Sequence, residues 1–516
     1  MPLKDRVTKR AILWWLIFVG CGVNYMIRAN INIAIVAMVQ MTTASDETAV
    51  ASECIDDEFS LSGNYTLNSN TTVPGYNVST ENRFDWDEDQ QNMVIGGVFW
   101  LYWAGQLPGG MLAQYYGTKR VFGYSNLFCC VTTLLVPLFA HTDYRLLVAL
   151  RVLQGVSIGL SWPSLNRIVS QWIPPDDRSK FMSSYMGGSI GSAVTFPLCG
   201  MLIHYLNWQS VFYVTSVIGI AWFVFWWWLV FDTPAQHPTI TQKELAYIRS
   251  SVGVTERKLP IPWRKILTCR PLLIAIAADW GCLWGMYTLL TQAPTYLQNV
   301  QGWSVQMLGL VTGVPHIFRL VVGVLVGTWC DHLRGSGKLS VTNVRKLGTF
   351  VTNIVQGLFM LGLAFSGCSS VVAAICLTVA LSASGAETAG PIATYVDLSP
   401  NFGGILMGIA NTICVTPGVI SAAMVGYLTY KNQTTEQWKK VFLIASGALL
   451  ATGVLHLLTS SAEIQEWNSP AVVDRQPKRY REEPEDEEAQ RSLTANQERT
   501  QLEEIKGKWR TSGNAQ

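Results

Sequence analysis

Five charged residues lie within otherwise apolar stretches of the sequence, and their side chains could do chemistry there: Arg28, Arg151, Asp279, Arg319 and Glu387. A charge in hydrocarbon costs about 3 kcal/mol or more unless it is paired, hydrated or functional. A guanidinium group binds carboxylate or phosphate through two parallel hydrogen bonds, which a lysine cannot do. Three positive charges against two negative ones therefore favour a binding site for a small anion.

Depth can be counted at 1.5 Å per helical residue. Arg28 falls roughly 18 Å and Arg151 roughly 10 Å below the outer surface, so they could share one cavity. Asp279 and Arg319 fall roughly 12 and 8 Å above the inner surface on consecutive spans, where an ion pair between them is reasonable. Glu387 lies near the middle of the tenth span.

Each charge also has a structural interpretation. Arg28 and Arg151 could contact a substrate, or either could pair with Glu387 and lock helices together. Glu387 could bind H+ or Na+ and couple a gradient to transport, or it could balance an arginine. His316 is expected to be a packed ring rather than a proton relay.

Asparagines are unusual in apolar helices because each amide must find a partner there. Four occur in such stretches and either line a path or bond helix to helix: Asn24, Asn30, Asn32 and Asn411. Asn30 and Asn32 cannot both face one way on a helix.

The composition indicates a membrane protein, because 49% of 516 residues are hydrophobic and only 14% are charged. Twelve segments are long enough to cross a bilayer as helices. They lie near 11–40, 91–115, 119–139, 144–171, 180–205, 208–231, 271–297, 304–330, 343–366, 369–397, 402–429 and 437–461. The first is too long for a cleavable signal peptide, so we expect it to stay in the membrane.

Loop charges set the orientation. Basic residues precede the first span and cluster in alternate loops, which places those loops and both termini in the cytosol. The longest opposite loop, 41–89, carries eleven acids against one base, Arg83. The outward loops also hold four glycosylation sequons, at Asn64, Asn70, Asn77 and Asn432.

Most of the eleven cysteines lie within apolar spans without metal-type spacing, so we expect packed thiols and no metal site. Cys54 and Cys368 would both face outward, where a disulfide could join them.

Gly155 and Gly159, four residues apart, predict close packing of a neighbouring helix. Pro163 invites a kink in the same helix.

A linker at 232–270 divides the spans into bundles at 11–231 and 271–461, after a cytosolic N-terminus at 1–10. Residues 110–114 and 327–331 echo each other, and each is followed by a basic cluster. Parallel six-helix repeats are typical of the major facilitator architecture, which binds its substrate between the halves. The clusters at 110–120 and 327–346 would latch the inward side. The polar residues 462–516 predict a disordered cytosolic tail.

Several stretches also resemble one family. They are NYMIRANINIAIVAMV (24–39), RVLQGVSIGLSWPSLNRIVSQWIPPDDRSK (151–180), TLLTQAPTYL (288–297), DLSPNFGGILMGIANT (397–412) and WKKVFLIAS (438–446). They are similar to the anion/cation symporter branch of the major facilitator superfamily, which holds sodium-phosphate cotransporters, sialin and the vesicular glutamate transporters. The resemblance implies that Arg28 and Arg151 recognise an anion.

Three departures set this chain apart from that pattern. Vesicular glutamate and sialic acid carriers have a glutamate, associated with proton coupling, where this chain has Ile158. Glutamate carriers also have an arginine at the place of Cys282 and a histidine at the place of Ile95. The resemblance is therefore closest in character to a plasma-membrane inorganic phosphate cotransporter.

We expect an all-α membrane protein with the major facilitator fold, working as a monomeric secondary transporter by alternating access. Its cargo would be inorganic phosphate or a small organic anion, carried by Na+ symport. The alternatives are an H+-coupled carrier of sialate or acidic amino acids, an uncoupled channel, and a nutrient receptor that does not transport. The plasma membrane is expected, and a vesicular membrane is the alternative.

The sequence contains no Walker motif and no HExxH motif. We therefore expect no enzyme and no cofactor, with Na+ or H+ as the coupling ion. Basic residues form no continuous stripe, so nucleic acid is not an expected partner.

Overall fold

The computed structural model describes residues 8–39, 54, 83–174, 177, 181–252 and 261–468. The sequons at Asn64, Asn70 and Asn77 and the part of the predicted tail beyond residue 468 lie outside these residues. Apart from short 3-10 turns, the helices are α1 (Lys9–Met38), α2 (Glu88–Trp100), α3 (Tyr102–Tyr116), α4 (Thr118–Leu134), α5 (Val136–Thr142), α6 (Tyr144–Trp172), α7 (Ser183–Tyr205), α8 (Trp208–Leu229), α9 (Gln242–Val252), α10 (Trp263–Leu267), α11 (Arg270–Asn299), α12 (Val305–Gly335), α13 (Val341–Ala364), α14 (Ser370–Leu398), α15 (Gly403–Thr429) and α16 (Thr435–Thr459).

The predicted all-α fold with twelve spans is confirmed. Within the described residues, ten helices are long and apolar enough to cross a membrane, and the pair α4 and α5, bent by 46°, makes an eleventh span. Helices α2 and α3 meet end to end at Leu101 and fill the place of span two.

Polar side chains start several of these helices where the sequence changes from loop to apolar span. The Thr8 hydroxyl accepts a hydrogen bond from the Ala11 amide at the start of α1. Asp87 and Gln90 form a reciprocal capping box at the start of α2. Between α3 and α4 the chain turns at Gly117, whose φ of +87° favours glycine.

Glycines allow the close packing that the sequence predicts for α6. A Cβ atom at Gly155 would overlap the main-chain oxygen of Val98, and one at Gly159 would overlap that of Tyr102. Helix α6 continues through Pro163 to Trp172. This packing holds α2 and α3 against the helix that carries Arg151.

The two bundles meet tightly at their outer ends. Asn92 accepts a hydrogen bond from Gln292 at 2.8 Å, and Asn32 donates to the oxygen of Leu290 at 3.1 Å. The Lys431 amide donates to Glu88 at 3.0 Å. This end of the bundle interface, which the charge pattern predicts to face outward, is therefore closed in this structure.

A disulfide reinforces the outer side, as the sequence allowed. Cys54 and Cys368 are bonded, with their Cα atoms 5.0 Å apart. The bond joins the long outward loop to the connection between α13 and α14. It links the two halves of the chain covalently.

The linker and the start of the predicted tail are both packed on the bundles. In the linker helix α9, Glu244 accepts hydrogen bonds from the main-chain amides of Lys9 and Arg10, both at 3.1 Å. Residues 462–468 lie in the stretch that the sequence predicts to be disordered, but this prediction is wrong for them because they are folded. Asn468 accepts hydrogen bonds from Ser399 and from the Asn401 amide, because short polar side chains cap the turn after α14.

Candidate substrate site

Arg28 lies on α1 inside a cluster of aromatic rings and is only 4% exposed. Its Cζ atom lies 5.1 to 5.8 Å from the ring centroids of Tyr25, Phe99, Tyr102 and Tyr287. Three of these rings come from the N-terminal bundle, and Tyr287 comes from α11 in the other bundle. Arg28 therefore faces the interface between the bundles, and the ring faces offset part of its desolvation cost.

The guanidinium of Arg28 has no carboxylate partner among the described residues. The Tyr287 side chain is within hydrogen-bonding reach of it. Its Nε and Nη2 atoms are buried and have no hydrogen-bond partner in the described part of the chain. Buried donors without acceptors are costly, which makes Arg28 a candidate for binding.

Arg151 lies on α6 and is 2% exposed. Its Nη1 atom donates to Oε1 of Gln154 at 2.9 Å and to the oxygen of Ile27 at 3.4 Å. Gln154 is itself held in place because its amide donates to the hydroxyls of Thr132 and Thr133, both at 3.1 Å. The Nε and Nη2 atoms of Arg151 are buried without partners within the described ranges.

The expected ion pair between Asp279 and Arg319 is wrong. Arg319 pairs instead with Glu387, with Nη2 and Oε2 3.4 Å apart. The reason is local packing: a Cβ atom at Gly385 would overlap the Arg319 main-chain oxygen, so α12 lies directly on this part of α14. The alternative in which Glu387 locks Arg28 or Arg151 is not what the structure shows.

Glu387 sits in a break of the tenth span. Residues Ser384–Thr388 form a 3-10 turn inside α14, and Glu387 is 7% exposed. Asp279, on α11, is 2% exposed and accepts a hydrogen bond from the Tyr395 hydroxyl at 2.8 Å. The side chains of Asp279 and Glu387 are within hydrogen-bonding reach of each other.

The asparagines mostly bond helix to helix. Asn24 donates to Asn126 at 3.1 Å, and Asn30 donates to the Thr215 hydroxyl at 3.1 Å. Asn32 points the other way and reaches α11 across the bundle interface. Asn411 is exposed on α15.

His316 behaves as a packed ring. It is 1% exposed and stacks on Phe196, with the ring centroids 5.7 Å apart.

The basic clusters that are predicted to face inward contact acids of the same half of the chain or of the linker. In the N-terminal bundle, the Lys119 amide donates to Asp232 at 2.8 Å. In the C-terminal bundle, Asp397 lies 2.6 Å from Arg345 and 3.6 Å from Arg334. Neither contact joins the two halves of the chain, so the inward latch stays a prediction.

Two stretches, 155–159 and 187–191, match the pattern GxSxG that marks some hydrolases. Neither has the required strand-to-turn context, because both lie within helices. Ser157 donates to the Ser125 oxygen at 3.0 Å and takes part in helix packing. These matches do not indicate catalysis.

The residues that sequence reasoning missed are the aromatic side chains around Arg28 and the amide that orients Arg151. Tyr25 precedes Arg28 by three residues and Gln154 follows Arg151 by three, so each pair shares a helix face. That spacing could have identified Tyr25 and Gln154. Nothing local to the sequence identifies Tyr287, because its contact with Arg28 spans the two bundles.

Comparison with known proteins agrees with this architecture. A sequence profile described as Major Facilitator Superfamily matches residues 13–423. Sialin from Ovis aries is 32% identical over 477 residues, covering 92% of this chain and 93% of that protein. Vesicular glutamate transporter 1 from Xenopus laevis is 32% identical over 459 residues, covering 87% of this chain and 74% of that protein.

Solved structures share the fold. The chain is similar to a crystal structure of the D-xylose-proton symporter, with a TM-score of 0.60 and 13% sequence identity over 88% of this chain and 99% of that one. At this identity the likeness concerns the fold alone. The profile match and the extent of the sequence relatives show that this chain is a membrane transporter of the major facilitator superfamily and belongs to the anion/cation symporter family that includes sialin and the vesicular glutamate transporters.

Proposed function

We propose that this protein carries a small anion across the membrane by alternating access, with Arg28 and Arg151 holding the anion between the two bundles. The observation that carries the proposal is the state of these two guanidinium groups. Both are buried, Arg151 donates to the main-chain oxygen of the residue before Arg28, and each arginine has two nitrogens without a hydrogen-bond partner in the described residues.

Other arginines of the same chain provide an internal comparison. Arg319 pairs with Glu387, and Arg345 binds Asp397 at 2.6 Å. Buried charges in proteins are normally compensated in this way. Arg28 and Arg151 lack a described carboxylate, which supports a role in which the missing negative charge belongs to the cargo.

The chemistry of the site suits an anion that offers paired oxygens. A guanidinium binds carboxylate and phosphate with the same two-point geometry, so both classes fit. One relative is named a vesicular glutamate transporter, and glutamate is a carboxylate. Ile158, Cys282 and Ile95 distinguish this chain from the pattern of the glutamate carriers, so we propose phosphate or a small organic anion other than glutamate as cargo.

The proposal includes a coupling cation, Na+ or H+, bound near Glu387. The Glu387 carboxylate forms an ion pair with Arg319, and Asp279 lies in the same group of buried side chains. We propose the plasma membrane as the site of action, with a vesicular membrane as the alternative.

Counterflow in proteoliposomes tests the proposal. Proteoliposomes that contain the purified full-length protein would be loaded with one unlabelled anion. Uptake of the same anion in labelled form would then be measured, for phosphate, urate, sialate, glutamate and aspartate in turn. Each assay would be run with Na+ or choline and at acidic and neutral pH. Counterflow of at least one anion supports the proposal, whereas its absence for all five would favour a non-transporting receptor.

A further inference from the structure

Two carboxyl groups and one guanidinium form a compact buried cluster in the C-terminal bundle. Asp279 comes from α11, Glu387 from the 3-10 break in α14, and Arg319 from α12. Arg319 binds Oε2 of Glu387, while the Tyr395 hydroxyl donates to Oδ2 of Asp279. The second Asp279 oxygen, Oδ1, is buried and receives no hydrogen bond from an N–H or O–H group among the described residues.

The contact between the two carboxyl groups is informative. Their side chains are within hydrogen-bonding reach of each other. Two carboxylate oxygens are both acceptors and repel each other unless a proton lies between them. A proton held between the two groups removes this repulsion.

Within the described ranges, the surroundings supply no second positive charge for Asp279. The titratable groups that face the pair, besides Arg319 and Tyr395, are the thiols of Cys282 and Cys414. With neutral thiols and a neutral tyrosine, two carboxylates and one arginine leave a net charge of −1. One added proton brings the cluster to zero, which a buried site favours.

We propose that Asp279 carries an exchangeable proton, donated to the Glu387 carboxylate, and that this proton is the cation cotransported with the anion. The inference rests on the proposed function and names its coupling ion. The proton comes from water on the outer side and forms an O–H bond at Asp279 Oδ1. When that bond breaks on the inner side, the proton passes to water and the carboxylate is restored.

A proton suits this cluster better than Na+. Hard metal cations bind through several oxygen ligands. Two groups that face Asp279 are soft thiols, and the Tyr395 hydroxyl donates its hydrogen to Asp279 instead of offering a lone pair. Among the described residues, no group of three or more His, Cys, Asp or Glu side chains could hold a metal ion.

The cluster is also connected to the anion site. Tyr25 and Tyr287 contact Arg28 through their rings, and both also interact electrostatically with Arg319. A change in charge at the Arg319 pair therefore acts on the same two side chains that surround the anion-binding guanidinium. This arrangement places a proton site in the C-terminal bundle, whereas Ile158 leaves the N-terminal bundle without a titratable group at that position.

Asp279→Asn is the decisive variant, because an asparagine can accept from Tyr395 and donate to Glu387 as a protonated Asp279 would. Glu436→Gln, which alters a carboxylate that is 78% exposed on α16, is the matched control. The full-length proteins would be reconstituted and assayed for counterflow and for accumulation driven by a pH gradient, with the membrane potential clamped. The labelled probes are phosphate, urate, sialate, glutamate and aspartate.

For one proton per anion, an inward gradient of one pH unit should raise accumulation by about tenfold in the wild type and the control. At matched protein levels, Asp279→Asn should lose this accumulation. Accumulation that persists in Asp279→Asn, or that follows a Na+ gradient instead, would overturn the inference. If wild-type protein shows no counterflow with any probe, the proposed function fails, and the coupling inference fails with it.

Infrared spectroscopy gives a second readout that needs no substrate. A buried protonated carboxyl group has a C=O stretching band that an ionised one lacks. Difference spectra between acidic and alkaline pH should show this band in the wild type and in Glu436→Gln but not in Asp279→Asn, and Glu387→Gln should shift its frequency. An unchanged band in Asp279→Asn would place the proton elsewhere and refute the assignment, even if that variant proved too unstable for transport assays.

Discussion

Arg151 donates a hydrogen bond from Nη1 to the main-chain oxygen of Ile27, 3.4 Å away, and Ile27 is the residue directly before Arg28. The chain thus brings two buried guanidinium groups together from α1 and α6. Like charges in a dry site repel each other, so the pair is stable only with help from nearby dipoles or from a bound anion. The aromatic rings around Arg28 and the amide of Gln154 beside Arg151 provide such dipoles. We propose that the cargo is the bound anion.

Gln154 should matter for binding because it fixes the direction of Arg151. In Gln154→Leu the charged hydrogen bond at 2.9 Å is lost. A bond of this kind contributes about 1.5 to 3 kcal/mol, so the half-saturating concentration of the cargo should rise by about tenfold or more. Initial rates over a range of anion concentrations would measure it. Ser157→Ala, which removes a hydroxyl that packs on another helix, is the control; an unchanged half-saturating concentration in Gln154→Leu would show that Arg151 does not bind the anion.

Gly418 should be needed for closing the outer side. A Cβ atom there would lie 2.6 Å from the Phe99 ring, so α15 could no longer approach α2 as closely. Overpacking costs about 1 to 3 kcal/mol, so Gly418→Leu should slow counterflow by about tenfold. It should also expose Ala422, which lies against Gly96 in the closed interface.

A cysteine introduced as Ala422→Cys reports on that exposure. With Gly418→Leu it should react with a membrane-impermeant maleimide, and with the native glycine it should react slowly. Gly447→Leu is the matched control, because no atom lies within 4 Å of a Cβ at that glycine. Equal labelling in the two leucine variants would argue against outer closure at this contact.

Cys54 and Cys368 should be blocked in cells. An impermeant maleimide applied from outside should label neither residue until a reductant is added, because the two form a disulfide. Mass spectrometry of the labelled peptides would identify both sites. Labelling of either residue before reduction would contradict the bond, and labelling from the cytosolic side alone would contradict the orientation.

Asn432 should carry a glycan. It is exposed in the connection between α15 and α16, which the charge pattern places outside. Asn432→Gln should increase electrophoretic mobility in cell extracts, and digestion with an N-glycosidase should abolish any difference between variant and wild type. If the mobility is the same before digestion, this sequon is unused.

Much of the fold could be predicted because membrane spans follow from hydropathy and length alone. The twelve spans were accessible in this way, the spacing of Gly155 and Gly159 predicted close helix packing, and the topology allowed a bond between Cys54 and Cys368. Depth along a helix was also countable, so Arg28 and Arg151 could be placed at heights compatible with one cavity. In the structure Arg151 donates to the main-chain oxygen of Ile27, the residue before Arg28.

The sequence does not show toward which neighbouring helix a buried side chain points. Counting residues gives the height of Asp279 and Arg319 but not the direction in which each side chain points, and the predicted pair between them was wrong. The 3-10 break that turns Glu387 toward Arg319 depends on close packing at Gly385. The ring of Tyr287 at Arg28 likewise depends on how the two bundles meet, which no local pattern reports.

The most direct test of the central claim is the affinity of the reconstituted protein for its cargo when Arg28 is changed. Arg28→Ala removes a buried guanidinium, and Arg145→Ala removes an exposed one as a control. Arg28→Ala should lose two charged hydrogen bonds to the cargo, each worth about 1.5 to 3 kcal/mol. The affinity for the cargo should therefore fall by about 100-fold or more, while the amount of protein in the membrane stays normal. Arg145→Ala should bind the cargo as the wild type does. Wild-type affinity and uptake in Arg28→Ala would contradict the account.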